Sequence, residues 1–162
     1  MPQSIHHLER FPHFLKRVIA LNQVYNPDDE SHALLGLSGP EWEAAARGDS
    51  PATKIAARSR KVLHAIHDHF PRGAALTEQA AYLVRAFSGL RPFQEANHRT
   101  GWDYTAEVIS HGGSQLLATT DEGRALGNDL WDDLRGELSV DRLTAKDEAF
   151  ARVHEWLRTR IA

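Results

Sequence analysis

Residues 91–101 read Arg-Pro-Phe-Gln-Glu-Ala-Asn-His-Arg-Thr-Gly, a short polar run between two segments of helical periodicity. A polar loop that feeds a helix start makes an anion site. The first backbone N–H groups of the helix lack intrahelical acceptors, and the helix dipole is positive there. Asn97 and Arg99 add side-chain donors, and the guanidinium of Arg99 can engage two phosphate oxygens at once. Glu95, just ahead of the helix, is the hard oxygen ligand that magnesium takes alongside phosphates and water. Phe93 is the apolar peg that would pin such a loop to a core. Residue chemistry alone thus points to a phosphate or nucleotide site, with a capped, salt-bridged helix start as the plainer alternative.

The elements that must hold this segment are helical. Phe14, Leu15, Val18, Ile19 and Val24 predict a helix over 11–25, with Pro12 near its first turn. Ile55, Val62, Leu63, Ile66 and Phe70 predict another over 52–70. The clearest covers 77–90, with Thr77 as N-cap and Ala80, Ala81, Val84 and Phe87 at three- and four-residue steps. Residues 96–111 give a helix closed by Gly112, and 121–135 and 139–160 complete the set. Trp131, Leu134, Val153, Trp156 and Leu157 are the core candidates of that last part. Residues 26–40 form the longest expected loop; Arg47 to Pro51, Pro71 to Gly73 and His111-Gly112-Gly113 are the other breaks. Only Ser114 to Ala118 has the character of a short strand or hairpin arm. The expected fold is all-α, one domain over 1–162.

Composition narrows the function classes. The chain has 162 residues, 41% hydrophobic and 25% charged, enough for a core without staples. A net charge of -3 argues against a strong polyanion binder, so no direct nucleic-acid contact is expected. The absence of cysteine excludes disulfides and thiolate metal sites. No apolar run approaches the ~18 residues of a membrane span and Met1 to Arg10 is polar, so a cytoplasmic protein is expected. Lys54 to Lys61 holds four basic residues and no acid, whereas Asp121 to Glu148 holds nine acids against four bases. Such runs are ordinarily solvated helix faces, though they can orient a charged partner.

The 91–101 segment resembles the motif of the Fic/Doc family: His-Pro-Phe, any residue, Asp or Glu, Gly or Ala, Asn, Gly or Lys, Arg. Pro92, Phe93, Glu95, Ala96, Asn97 and Arg99 match it. Ala96-Asn97-His98-Arg99-Thr100 is most similar to the Doc branch, which has Ala and Lys where the adenylylating branch has Gly and Gly. Ala81-Tyr82-Leu83, His111-Gly112-Gly113 and Gly136-Glu137-Leu138-Ser139-Val140 extend the resemblance over about 77–145, and residues 1–50 match only weakly. The resemblance implies a Fic/Doc-like helical bundle. It also implies ATP or a related nucleotide with Mg²⁺ at the loop, and transfer of a phosphate-containing group to a Ser or Thr hydroxyl of a protein. Carried over residue by residue, Glu95 would hold the metal, while Phe93, Ala96, Asn97, His98 and Arg99 would form the nucleotide site. His98 stands at the position that is Lys in Doc, which favours γ-phosphate transfer over adenylylation. Trp102 replaces the second arginine of the longer Fic motif.

Arg91 is the main departure, because the family places its general-base histidine there. A guanidinium stays protonated and cannot accept the attacking hydroxyl's proton, although it can bind phosphate. Three accounts stand: a natural pseudoenzyme, an inactivating replacement in a toxic protein, or another base such as His98 or His111. The resemblance implies a Doc-like toxin of a toxin–antitoxin pair, acting on a translation factor by family precedent and controlled by a separate antitoxin-like protein. As written it would be inactive or impaired. The alternatives are a Fic-type adenylyltransferase and a non-catalytic nucleotide- or protein-binding pseudoenzyme.

Other features carry less. His64, His67 and His69 have partial metal-site spacing but lack the i, i+4 pair with an intervening glutamate, so a polar or partner-facing helix surface is the expectation. His6-His7 is too short to signify more. Trp42, Trp102, Trp131 and Trp156 are expected as core or half-buried anchors. Asp103 and Glu107 share a helix face and are expected to be solvated or paired with arginine. Glu122-Gly123 has the ending of the Fic inhibitory motif, but Ala118 stands where its hydroxyl belongs, and Thr144 with Glu148 has only the spacing.

Overall fold

Helical runs bounded by proline and glycine become eight α-helices among the described residues, which a computed structural model gives as 9–134 and 138–162. The Leu134 side chain, Gly136-Glu137 and His6-His7 lie outside them. The helices are α1 (Phe11–Tyr25), α2 (Ser31–Leu35), α3 (Gly39–Ala45), α4 (Pro51–Asp68), α5 (Leu76–Leu90), α6 (Asn97–His111), α7 (Thr120–Leu134) and α8 (Glu148–Arg158). The protein is all-α, as its periodicity predicts.

Local chemistry explains the ends. Pro12 sits in the first turn of α1, and Pro51 in that of α4, where Ser50 Oγ accepts the Thr53 N–H at 3.2 Å. Helix α5 starts one residue before the expected Thr77 cap. Ala75 is its N-cap and gives no side-chain bond, so Thr77 lies inside the first turn. Thr119 and Glu122 cap α7 reciprocally: Glu122 Oε1 accepts from the Thr119 N–H, and Thr119 Oγ1 accepts from the Glu122 N–H. Glu122 is therefore committed to a helix start.

Three expectations need correction. The 26–40 stretch is not one loop: Asp29 Oδ1 takes the Ser31 N–H at 2.9 Å to begin α2, and Pro40 helps open α3. The 139–160 stretch is not one helix. It holds a 3₁₀ turn at Val140–Arg142, and α8 begins only after Asp147, whose Oδ1 accepts the Phe150 N–H at 2.9 Å. No strand or hairpin forms among the described residues; Leu116 instead pairs antiparallel with Ile161 in an isolated bridge.

Helix α5 is the axis of the fold. Every residue from Ala80 to Leu90 is buried, and α5 packs on α6, α7 and α8. One apolar cluster joins α1, α4, α5 and α6 through Phe14, Leu63, Ile66, Leu83, Phe87 and Tyr104. A second joins α5, α6, α7 and α8 through Ala81, Val84, Trp102, Leu130, Val153 and Leu157. Val24, for all its helical spacing, is 73% exposed on α1. The α6–α7 contact depends on two glycines four residues apart. A Cβ on Gly123 would lie 2.1 Å from the Trp102 ring, and one on Gly127 would lie 2.7 Å from His98 Nδ1. Both helices approach this closely because nothing projects from α7 at those points.

Candidate phosphate-binding site

Helix α5 ends at Leu90, and Arg91 turns the chain with φ 49°, in the left-handed region. Its N–H donates to Phe87 O at 3.2 Å. Arg58 on α4 closes the same end, donating to Leu90 O and Arg91 O at 2.9 Å each. Phe93 is buried as the peg. Asn97 then ties the loop into a hoop: its Oδ1 accepts the Phe93 N–H and its Nδ2 donates to Phe93 O, both at 2.8 Å. Ala96, at φ 58°, makes the second left-handed turn into α6. Left-handed residues other than glycine concentrate at functional sites, because packing must hold them there.

The start of α6 is bare. No side chain caps it, and its first turn carries no acid. The start of α6 is therefore neither capped by a side chain nor paired with an acid of its own first turn, and its N–H groups lie at the positive end of the dipole. Asn97 is buried with its amide committed to Phe93, so it shapes the loop. Gln94 and Glu95 are the exposed residues of the loop, and Arg99 is half-buried. The Arg99 guanidinium carbon lies 5.5 Å over the Tyr25 ring. The Tyr25 hydroxyl donates to Asp103 Oδ2, and burial first, then that bond, pushes the phenol up to about 12. Arg91 lies over Trp131, 4.8 Å from the ring centre. Among the described residues no carboxylate pairs with Arg91 or Arg99. Glu95 is exposed and lines a cavity of about 350 Å³ with Asp28, Glu30 and Gln94.

A buried polar chain that the sequence did not announce holds the loop from behind. Asn22 on α1 donates from Nδ2 to Glu95 O at 2.9 Å and to Thr100 Oγ1 at 3.1 Å. Its Oδ1 lies 2.7 Å from His32 Nε2, which is 3.6 Å from Asp29 Oδ2. An amide oxygen only accepts, so Nε2 carries the proton, and His32 Nδ1 is left buried and without a partner. Burial lowers the His32 pKa and outweighs the opposing pull of Asp29, so the ring is neutral at physiological pH. The available signal was Asn22 itself, a polar residue in register with the apolar stripe Phe14, Leu15, Val18 and Ile19.

His98 points away from the hoop, toward the neighbouring helices. Its Nδ1 is 3.3 Å from Ser88 Oγ on α5, and its ring rests on Gly127 of α7. Burial first, then the charges of Arg91 and Arg124, lower its pKa. His111 is exposed at the far end of α6, roughly 20 Å from the loop at 1.5 Å per residue. The other histidines separate. His67 packs on the Phe14 ring at 5.2 Å and meets Arg72 Nη2 at 3.3 Å, while His69 Nδ1 bonds Ala65 O at 3.0 Å. His64 lies edge-on to Phe11 at 4.8 Å. No group of three metal-ligating side chains occurs among the described residues. Glu107 pairs with Arg17, and Asp103 takes bonds from Tyr25 and Thr120. Trp102 is buried, while Trp42, Trp131 and Trp156 are half-buried.

No model of a known protein family, no curated protein and no solved structure matches the chain. No helix among the described residues is long and apolar enough to cross a membrane.

Proposed function

We propose that this chain is a Doc-like protein of the Fic/Doc type that binds ATP through the 91–97 hoop and the N-terminus of α6, with phosphotransfer silenced by Arg91. The observation that carries this is the bare start of α6, set behind two left-handed turns and flanked by two arginines that among the described residues lack carboxylate partners. The hoop presents donors and no acid in the first turn, which suits phosphate oxygens.

Magnesium fits the residues present. Glu95 is exposed and makes no ion pair among the described residues, and a single carboxylate is what an ion that completes its shell with phosphates and water requires. Glu95 would hold the ion, which would supply neutralisation of phosphate charge. Arg99 would hold phosphate oxygens, Phe93 and Asn97 would fix the loop, and Asn22 with His32 would fix its back. With a histidine at 91 the same frame would place a base beside the terminal phosphate, for transfer to a Ser or Thr hydroxyl of a translation factor. An antitoxin-like partner would then control it.

Calorimetric titration with Mg²⁺–ATP checks the binding half. The native protein is expected to bind, and Arg99→Ala to bind about tenfold more weakly, the low end of what charge-assisted hydrogen bonds contribute. Equal affinities would remove Arg99 from the site, and no binding by either protein would remove the nucleotide.

A further inference from the structure

Lys54 to Lys61 is a run of four bases without an acid, and the fold gives its members different surroundings. Arg58 commits two bonds to the end of α5. Lys54 lies 3.8 Å from Asp49 Oδ1, with both side chains in solvent. Lys61 is exposed and makes no ion pair among the described residues. Arg60 turns to the flank of α4, half-buried, and its Nη1 donates to Leu35 O and Leu37 O at 3.1 Å each. Its guanidinium carbon is 4.8 Å from the centre of the Trp42 ring and 5.6 Å from that of Phe11. Burial lowers its pKa, and among the described residues no carboxylate offsets that cost. Beside these groups opens a cavity of about 340 Å³, lined by Trp42, Ala57, Arg60, Lys61 and His64. Trp42 and Ala57 make its wall apolar, and the other three make its rim cationic.

Lys54, Arg58, Lys61 and His64 are all exposed and recur at three- and four-residue steps, so they form one face of α4 about 15 Å long. The acids that would balance an exposed helical cation three or four residues away are missing throughout Pro51 to His67. We infer that this face docks an acidic segment of a protein partner, with one apolar side chain of that segment in the Trp42 cavity and flanking carboxylates on Lys54, Arg60 and Lys61. A span of 15 Å takes about five residues of extended chain. Arg60 retains the donors of Nε and Nη2 for a carboxylate, since both carbonyl bonds use Nη1. A polynucleotide is the poorer occupant. The face stops at Asp49 on one side and Asp68 on the other, and the net charge of the chain is -3. The inference does not depend on nucleotide binding.

Acetylated peptides of sequence Glu-Asp-Xaa-Glu-Asp, with Leu, Phe or Trp as Xaa, are the probes, titrated calorimetrically into the full chain without nucleotide. At least one is expected to bind, more weakly as salt is raised. Lys61→Glu should weaken that binding about tenfold, and Ala57→Phe, which fills the cavity, by a similar factor. Both positions are exposed, so unchanged thermal midpoints show that the variants remain folded. Binding by none of the peptides, or unchanged affinity in either folded variant, would overturn the inference. Equal binding of the uncharged Gln-Asn-Xaa-Gln-Asn peptide would overturn it too, because charge would then not be read. A short oligothymidylate bound more tightly than the peptides, and weakened by Lys61→Glu, would assign the face to nucleic acid and remove the protein partner.

Discussion

With Arg91→His, phosphate transfer from γ-labelled ATP to a translation factor is expected to rise about 10²- to 10⁴-fold, the usual contribution of a positioned general base. The backbone favours this replacement. Position 91 sits at φ 49°, and histidine is among the residues found most readily in the left-handed region. The loop geometry depends on Asn97, Phe93 and Arg58, none of which touches the Arg91 side chain, so the hoop should survive the change. His98 packs toward Ser88 and Gly127 and is not set in the hoop, so the variant supplies a base at the position where the motif has one. His111 is at the wrong end of α6. The label position separates two chemistries, because transfer from α-labelled ATP would mean adenylylation. Equal silence of the native chain and the variant toward both labels would refute the transferase and leave a binding protein.

Arg85→Met is expected to cost about 3 kcal/mol of folding stability, the low end of the range for breaking a buried ion pair. Arg85 is 1% exposed and sends its guanidinium from the central helix to the segment before α8. Nε and Nη2 donate to Asp147 at 3.1 and 2.6 Å, Nη1 to Leu143 O at 3.0 Å and Nη2 to Arg142 O at 3.2 Å. Methionine keeps much of the length and removes all four bonds. The low end applies because Asp147 remains partly exposed and still accepts the Phe150 N–H. Burial alone would raise the Asp147 pKa. The Arg85 hydrogen bond, the Phe150 N–H and the charges of Arg85 and Arg142 together hold it below the usual value. Its contribution is therefore complete above the ordinary Asp pKa of about 4 and fades as pH falls through the lower native value. Urea denaturation at neutral pH and near pH 2 should show the gap between native protein and variant narrowing in acid. A loss below about 1 kcal/mol at neutral pH, the level of a surface pair, would contradict the buried bridge.

What the sequence disclosed and what it withheld follow one physical division. Helices α1, α4, α5, α6 and α7 were legible within about two residues, because each carries an apolar stripe and the first four also have a proline or glycine close to one end. Within the candidate site, the span 91–101 was legible as a polar loop entering a helix. The two short helices in 26–45 were not, because α2 depends on an Asp29 side chain closing on Ser31, and neither helix is long enough to show a period. The break before α8 was hidden for a similar reason: Arg85, far away in the chain, binds the Arg142 and Leu143 carbonyls. The same limit applied to the back of the site. Asn22, His32 and Asp29 act through contacts that bridge some seventy residues to Glu95 and Thr100. Asn97, typed as a phosphate donor by its chemistry, is turned inward onto Phe93.

If phosphate binds at the start of α6, the backbone donors there must respond to it. Amide ¹H–¹⁵N spectra recorded during titration with Mg²⁺–ATP test it most directly, because they report on the backbone donors themselves. The largest shifts are expected from Gln94 through Arg99, saturating together, with Thr119 to Leu126 at the opposite end of α7 unmoved. Shifts that spare 94–99 and gather elsewhere would contradict the account.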